Sequence, residues 1–326
     1  MESFLGKHTT KVQQLADTLE QHIVAGIYEG GNGLPSINQL SRMHNVSRDT
    51  VFMAFSLLRE KGFIDSTPGK GYYITNQRKK VLLLLDEYSL FKTTFYNRFI
   101  QGLPSNYQVD LWFHQYNQQL FDAILREAAG KYNHYVVMNI NNEEPSPLLN
   151  KLPSSRLLLL DFGNFDKQDL SFICQDFDAG IYSALMQLKE RFKRYDRNIF
   201  FFPKGIQHPK VSRDSFLRFC RENGLSGTIV EDERALEVTQ GTTYFVIRQI
   251  DVVNIIKQSR ARSLQCGKDF GLVAYNDTPA YEVIDNGITT LTINWEKMGE
   301  MASRSIVNGE HVQEYLPTEV HLRHSL

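Results

Sequence analysis

The residues best placed to do chemistry stand in one short run, Ser47-Arg48-Asp49-Thr50. It follows a turn at His44-Asn45 and opens a stretch in which Val51, Ala54, Phe55 and Leu58 recur at helical spacing. Ser47 therefore caps the helix, and Ser47, Arg48 and Thr50 lie in its first turn. A guanidinium there can make paired hydrogen bonds to O6 and N7 of guanine. The hydroxyls and the free backbone N–H groups of the helix start can hold phosphate. Upstream, Ser36 caps a shorter helix after Leu34-Pro35, and downstream Gly69-Lys70-Gly71 forms a tight turn carrying one cation. Glycine at such a tip lets the backbone come close to a partner. Piece by piece these are also what ordinary helix caps and a solvated turn look like; together they suit contact with nucleic acid.

The surrounding elements must aim those groups. Val12, Leu15, Leu19, Ile23 and Ile27 predict an amphipathic helix over 9–26, with Gly26 at its end. Short helices from Ser36 and Ser47 follow, then strands over 63–66 and 72–75 around the Thr67–Gly71 turn. Three helices and a hairpin make a winged helix-turn-helix over 1–75.

Residues 76–80 are polar and basic and read as a linker. After them the texture changes to Val81-Leu82-Leu83-Leu84-Leu85-Asp86, an apolar run closed by a carboxylate. Such runs are strands buried on both faces of a parallel sheet. Others fall at 135–139, 156–161, 199–202, 244–247 and 271–275, with helical stretches at 120–129, 179–192 and 212–223. The alternation predicts an open α/β fold in two lobes over 81–326. Lobe one is expected over 81–178 and 294–312, and lobe two over 179–293 and 313–326. Ligands in such sheets sit beyond the carboxyl ends of the strands, so the polar residues closing them are the first candidates.

Bulk properties narrow the classes. The chain has 326 residues and a formal net charge of −1. Residues 1–80 carry ten Lys/Arg against seven Asp/Glu, and the remainder 26 against 30. A mildly basic head suits local phosphate contact rather than wholesale attraction to nucleic acid. Three scattered cysteines, with no Cys-x-x-Cys pair, exclude a thiolate zinc site and fit a reducing compartment. With no basic-then-apolar leader and no apolar run of ~20 residues, a cytoplasmic protein is expected. Phosphate loop, Gly-x-Ser-x-Gly elbow and His-Glu-x-x-His are all missing, so an enzyme is not expected. The nine histidines form no ligand cluster in the sequence; neither a metal nor a cofactor is implied.

The head resembles the GntR family of bacterial regulators. The resemblance is carried by Ile23-x-x-Gly26-x-Tyr28, Gly31-x-x-Leu34-Pro35-Ser36, Val46-Ser47-Arg48-x-Thr50-Val51 and Gly69-Lys70-Gly71-Tyr72. It implies an operator-binding domain using Ser36, Arg42, Ser47, Arg48, Thr50, Gly69, Lys70 and Gly71. Two positions depart from the family: Asn38 and Phe52 stand where arginine is common, which implies either fewer phosphate contacts or contacts made by Arg42, Lys7 and Lys11 instead. The body resembles the LacI-type effector domain, itself similar to periplasmic sugar-binding proteins. Here the carrying segments are Asp161, Asp176 before Ala179-Gly180, Arg213-x-x-Phe216, Asp251, Val273–Pro279 and Ile288–Leu291.

That second resemblance implies a cleft gripping a small polar effector, walled by Phe95, Tyr96, Asn139, Asp161, Phe162, Arg213, Ile250 and Asn276. Each has a plainer role available: core for Phe95 and Tyr96, an interlobe salt bridge for Arg213, a cap for Asp161. Aromatic faces with amide, carboxylate and guanidinium groups suit a neutral sugar. The bare edge of Ile250 favours a pentose or deoxyhexose, such as L-arabinose or L-fucose. The expectation is thus a homodimeric, sugar-responsive regulator of DNA, a repressor of sugar-utilisation genes. The alternatives are a sugar-binding protein or enzyme without a DNA role, and a nucleoside or purine sensor of the same fold.

Overall fold

A computed structural model of the chain describes residues 10–24, 27–28, 33–69, 71–75, 79–140, 145–160, 163, 167 and 169–326. It divides into two compact units, Met1–Lys80 with Leu103–Gln108, and Val81–Gly102 with Val109–Leu326.

The first unit holds α1 (Lys11–Val24), α2 (Ile37–Met43), α3 (Arg48–Glu60) and the hairpin β1 (Ile64–Thr67) and β2 (Gly71–Ile74). Each helix start follows from its cap. Ser36 Oγ accepts from the Gln39 N–H while the Gln39 side chain accepts from the Ser36 N–H, a reciprocal capping box. Ser47 Oγ accepts from the Thr50 N–H at 3.1 Å, and the two hydroxyls meet at 2.8 Å. Leu15, Leu19, Leu40, Val51, Phe55 and Ile64 form the buried core beneath them. α1 stops short of Ile27, which is exposed rather than part of the apolar stripe. Ile64 pairs with Ile74 and Thr67 with Gly71 across the hairpin. Gly69 and Gly71 both have φ near +80°, a left-handed turn that suits glycine and would strain other residues.

The second unit is two-lobed. Its strands are β3 (Lys79–Leu85), β4 (Tyr107–Phe113), β5 (His134–Met138), β6 (Leu157–Leu160), β7 (Ser171–Gln175), β8 (Arg197–Phe201), β9 (Gly227–Val230), β10 (Thr242–Val246), β11 (Gly271–Tyr275), β12 (Thr289–Thr292), β13 (Gln313–Leu316) and β14 (Glu319–His321). The first sheet runs β13-β7-β6-β5-β3-β4 and the second β14-β12-β11-β10-β8-β9. Pairing is parallel from β3 through β5, β6 and β7 to β13, and from β9 through β8, β10 and β11 to β12; only β14 is shown antiparallel. The Leu-rich runs of β3 and β6 are buried along both faces, as continuous apolar strands demand.

Helices α4 (Leu90–Gln101), α5 (Gln118–Ala128), α6 (Ala179–Gln187), α7 (Lys189–Phe192), α8 (Val211–Glu222), α9 (Gln249–Ala261), α10 (Ala280–Val283) and α11 (Trp295–Asn308) complete the unit. The chain changes lobe three times: between β7 and α6, between β12 and α11, and between β13 and β14. One lobe boundary differs from the expectation. β13 lies at 313–316 and pairs with β7, so this stretch belongs to the first sheet; lobe two resumes only with β14.

Candidate functional site

Two surfaces carry usable chemistry. In the first unit, Ser47 and Arg48 are exposed at the start of α3, with Thr50 half-buried beside them. Arg48 makes no hydrogen bond or ion pair among the described residues, so its five N–H donors are free for a partner. Arg42 is exposed in the last turn of α2, and Ser36 is exposed at its cap. Gly69 and Gly71 are exposed in the hairpin turn, while Lys70 lies outside the described residues. The exposed Ser47 hydroxyl and Arg48 cation thus stand together at the start of α3, where the N–H groups carry partial positive charge.

The second surface is the cleft between the lobes, a cavity of about 650 Å³ lined from both sides. Strand ends position it. Asp86 follows β3, Asn139 follows β5, Arg248 comes two residues after β10, and Asn276 follows β11. On the lobe-one side Asp86 and Lys92 form a buried ion pair. The Asp86 carboxylate also accepts the Glu87 N–H at 2.6 Å and the Tyr116 hydroxyl at 2.7 Å. Its charge is therefore compensated by the protein itself, as a buried carboxylate requires. Lys92 keeps further N–H donors at the cavity wall.

The lobe-two side repeats that logic with the opposite sign. Arg248 is held by Asp251 at 2.8 and 2.6 Å and by Glu233 at 2.7 Å, and these bonds raise its pKa further. Asp251 is buried beneath it. Asn276 sits at φ +61°, a left-handed conformation that asparagine tolerates. Its Oδ1 accepts from Trp295 Nε1 at 3.2 Å, leaving its amide N–H groups to donate. Trp295 in turn packs on Phe91, 4.9 Å between ring centroids. His208 stands among Phe177, Phe202 and Tyr275, with centroids 5.4, 5.9 and 4.7 Å away. Burial pushes its pKa down to about 3, so it is neutral at physiological pH. Its Nε2 is buried without a partner among the described residues. The Tyr275 hydroxyl donates to Gln175, bonding one lobe to the other.

Of the eight wall residues expected from the sequence, Asn139 and Asn276 line the cavity. Asp161 and Phe162 lie outside the described residues. Phe95 is core: it is fully buried, stacks on Phe99 at 5.8 Å and faces α11 through its carbonyl. Tyr96 is half-buried and outside the lining. The first turn of α4, not the second, reaches the cleft, so Leu90 and Phe91 line it instead. Arg213 pairs with Glu231 at 2.7 Å and lies over the Phe202 ring; both partners belong to lobe two, so the bridge is within that lobe and not between the lobes as expected. Ile250 is 54% exposed and outside the lining, one residue past Arg248 and Gln249, which line it.

The sequence reading missed Lys92, Tyr116, His208 and Arg248. Asp86 carried a signal, since it closes an apolar strand, but it was not placed in the wall.

Comparison with known proteins matches the two units separately. Residues 11–74 match the bacterial regulatory proteins of the gntR family. The uncharacterized HTH-type transcriptional regulator YdcR of Escherichia coli is 38% identical over 71 residues, 22% of this chain and 15% of its own length. The probable fructoselysine utilization operon transcriptional repressor of E. coli is 34% identical over 77 residues, 24% of this chain and 30% of its own. The matched stretch thus spans a minor part of these relatives. Among solved structures, the trehalose repressor of E. coli superposes with a TM-score of 0.61 at 15% identity, over 75% of this chain and 100% of that one. The transcriptional regulator CelR–cellobiose complex gives 0.59 at 16% identity, over 90% and 100%. A periplasmic binding protein/LacI transcriptional regulator of Alkaliphilus metalliredigens, complexed with D-xylulofuranose, gives 0.60 at 14%, over 76% and 98%. The chain therefore joins a GntR-type helix-turn-helix to a body with the fold of LacI-type regulators and periplasmic binding proteins.

Proposed function

We propose that this chain is a ligand-responsive, sequence-specific DNA-binding regulator, a repressor of sugar-utilisation genes whose effector is a neutral monosaccharide. The observation that carries the effector class is charge compensation inside the cleft. Asp86 is matched by Lys92, and Arg248 by Asp251 and Glu233. The remaining charged groups of the lining, Glu87 and Lys204, are opposite in sign and exposed. A phosphorylated sugar needs a surplus of cations, which this balance does not offer. What remains is donor-rich and flanked by aromatic faces, the pattern that holds hydroxyls and C–H patches together. The names of the structural neighbours, trehalose repressor and cellobiose and D-xylulofuranose complexes, agree with a sugar in this fold. Ile250, outside the lining, no longer supports a preference for a pentose or deoxyhexose; L-arabinose and L-fucose stand level with the hexoses.

The DNA reading is supported by the exposure of Arg48, Ser47 and the wing glycines and by the match over residues 11–74. One winged helix makes few contacts, so a homodimer reading two half-sites fits it, acting in the cytoplasm. None of the described helices is long and apolar enough to cross a membrane. Calorimetric titration with neutral sugars, sugar phosphates and nucleosides, beside duplex binding at several salt concentrations, tests both halves. A neutral sugar is expected to bind and to change duplex affinity. Tighter binding of a sugar phosphate or a purine would overturn the effector class, and indifference to duplex DNA at low salt the regulator.

A further inference from the structure

α3 has two faces of unlike chemistry. Val51, Ala54, Phe55 and Leu58 point inward and are fully buried. The outward face opens with Arg48 and Asp49 and continues one turn later with Phe52 and Met53, which are 52% and 57% exposed. Residues four apart share a face, so Phe52 stands beyond Arg48 and Met53 beyond Asp49. The core of the unit closes without either of them. Two large apolar side chains side by side in water bring nothing to this fold, so they point to a partner with a matching surface.

Their neighbours identify that partner. They share a helix with the Ser47 hydroxyl and the unpaired Arg48 guanidinium, the groups suited to phosphate and guanine. The only apolar group that a base pair shows in the major groove is the 5-methyl of thymine. We propose that Phe52, with Met53 beside it, reads thymine methyl groups in the operator, so that this helix selects both a guanine and a nearby thymine. This rests on the reading of α3 as the DNA-recognition helix. One helical turn separates Phe52 from Arg48, a rise of about 6 Å, or about two base-pair steps along the groove. Each half-site therefore carries a thymine about two steps from the guanine that Arg48 contacts.

The experiment uses the full chain. A preferred duplex is selected from a random pool, and each thymine is then replaced in turn by deoxyuridine, which keeps the base pair and lacks the methyl. For the wild type, one such replacement per half-site is expected to weaken binding about fourfold, the worth of burying one methyl group. Phe52→Ala binds the thymine site more weakly and no longer distinguishes thymine from deoxyuridine. Phe52→Arg also loses the distinction, and its salt dependence steepens by about one released counterion. Phe52 takes no part in the core, and circular dichroism melts confirm that both variants are folded. If no thymine position responds, or if Phe52→Ala keeps the full response, the thymine reading is wrong while DNA binding stands. If no duplex is preferred over random DNA, the recognition-helix reading itself falls, and this proposal with it.

Discussion

At the residue scale, the two surfaces use charge in opposite ways. Arg48 is exposed and unpaired, whereas every buried charge of the cleft is matched by a protein partner. With Arg48 proposed as a base reader, Arg48→Ala is expected to cost about 1–3 kcal/mol on the preferred duplex and to flatten base preference at one position. Filter binding on preferred and random DNA checks it; an equal loss on both would make Arg48 a phosphate contact. His208 illustrates the cleft's rule for neutral groups. Its pKa falls from 6.5 to about 3 because burial among three rings disfavours the imidazolium. Between those values the unfolded chain holds a proton that the folded chain does not. Stability therefore rises with pH across this window and is lost as pH falls below about 6.5, by up to about 1.4 kcal/mol per pH unit. Replacing His208 by Phe removes both the titration and the unpartnered Nε2. Urea unfolding at pH 7.5 and 5.5 should show the variant losing about 1 kcal/mol less than the wild type on acidification. Equal losses would mean that His208 protonates in the folded state after all.

At the element scale, α4 packs closely on α11, and it is the first turn of α4 that lines the cleft. A Cβ on Gly299 would stand 2.5 Å from the Phe95 carbonyl and 3.0 Å from the Phe99 nitrogen. Those are backbone atoms and cannot step aside. Gly299→Ala is expected to push the helices apart and destabilise the body by about 1–3 kcal/mol, read as a lowered melting temperature. An unchanged melt would show the contact to be loose. The same contact explains why the cleft wall was only partly legible. Apolar strands such as 81–85 and 157–160 announce themselves, and the polar residues closing strands follow, which is how Asn139 and Asn276 were found. The Phe95 turn of α4 lies against Gly299, two hundred residues away, a packing that no local pattern announces, and the first turn lines the cleft in its place. β4 is an edge strand and half-buried, so it shows no apolar run; β13 has only four residues, and its lobe is set by pairing with β7. His208 had no local signal because its cage converges from 177, 202 and 275. In the head, by contrast, caps and stripe are local, and its three helices and hairpin lie within a few residues of their expected ends.

At the scale of the whole molecule, the proposed function raises the question of how a sugar bound in the body would change what the head does on DNA. The lobes are joined by three chain crossings, and close to two of them the Tyr275 hydroxyl donates to Gln175 and the Trp295 indole to Asn276. These two bonds between the lobes lie beside a cavity with polar groups on both walls, so a ligand held there would act on the same junction. Under the proposed function, a sugar touching both walls would favour a closed arrangement over an open one, and would shift the equilibrium only by its differential affinity for the two. Coupling is also reciprocal: whatever factor the sugar applies to operator affinity, the operator applies to sugar affinity. Tyr275→Phe removes one bond between the lobes and leaves the ring beside His208 in place. It is therefore expected to change sugar affinity and the sugar's effect on operator binding together, while operator affinity without sugar moves only as far as the free equilibrium does. Titrating sugar with and without operator, for wild type and variant, closes the cycle. If the two coupling factors agree and both change in Tyr275→Phe, the lobe–lobe bond is part of the switch. If the variant binds sugar more weakly but keeps the same coupling factor, Tyr275 contributes to the site alone, and the switch lies in the crossings themselves.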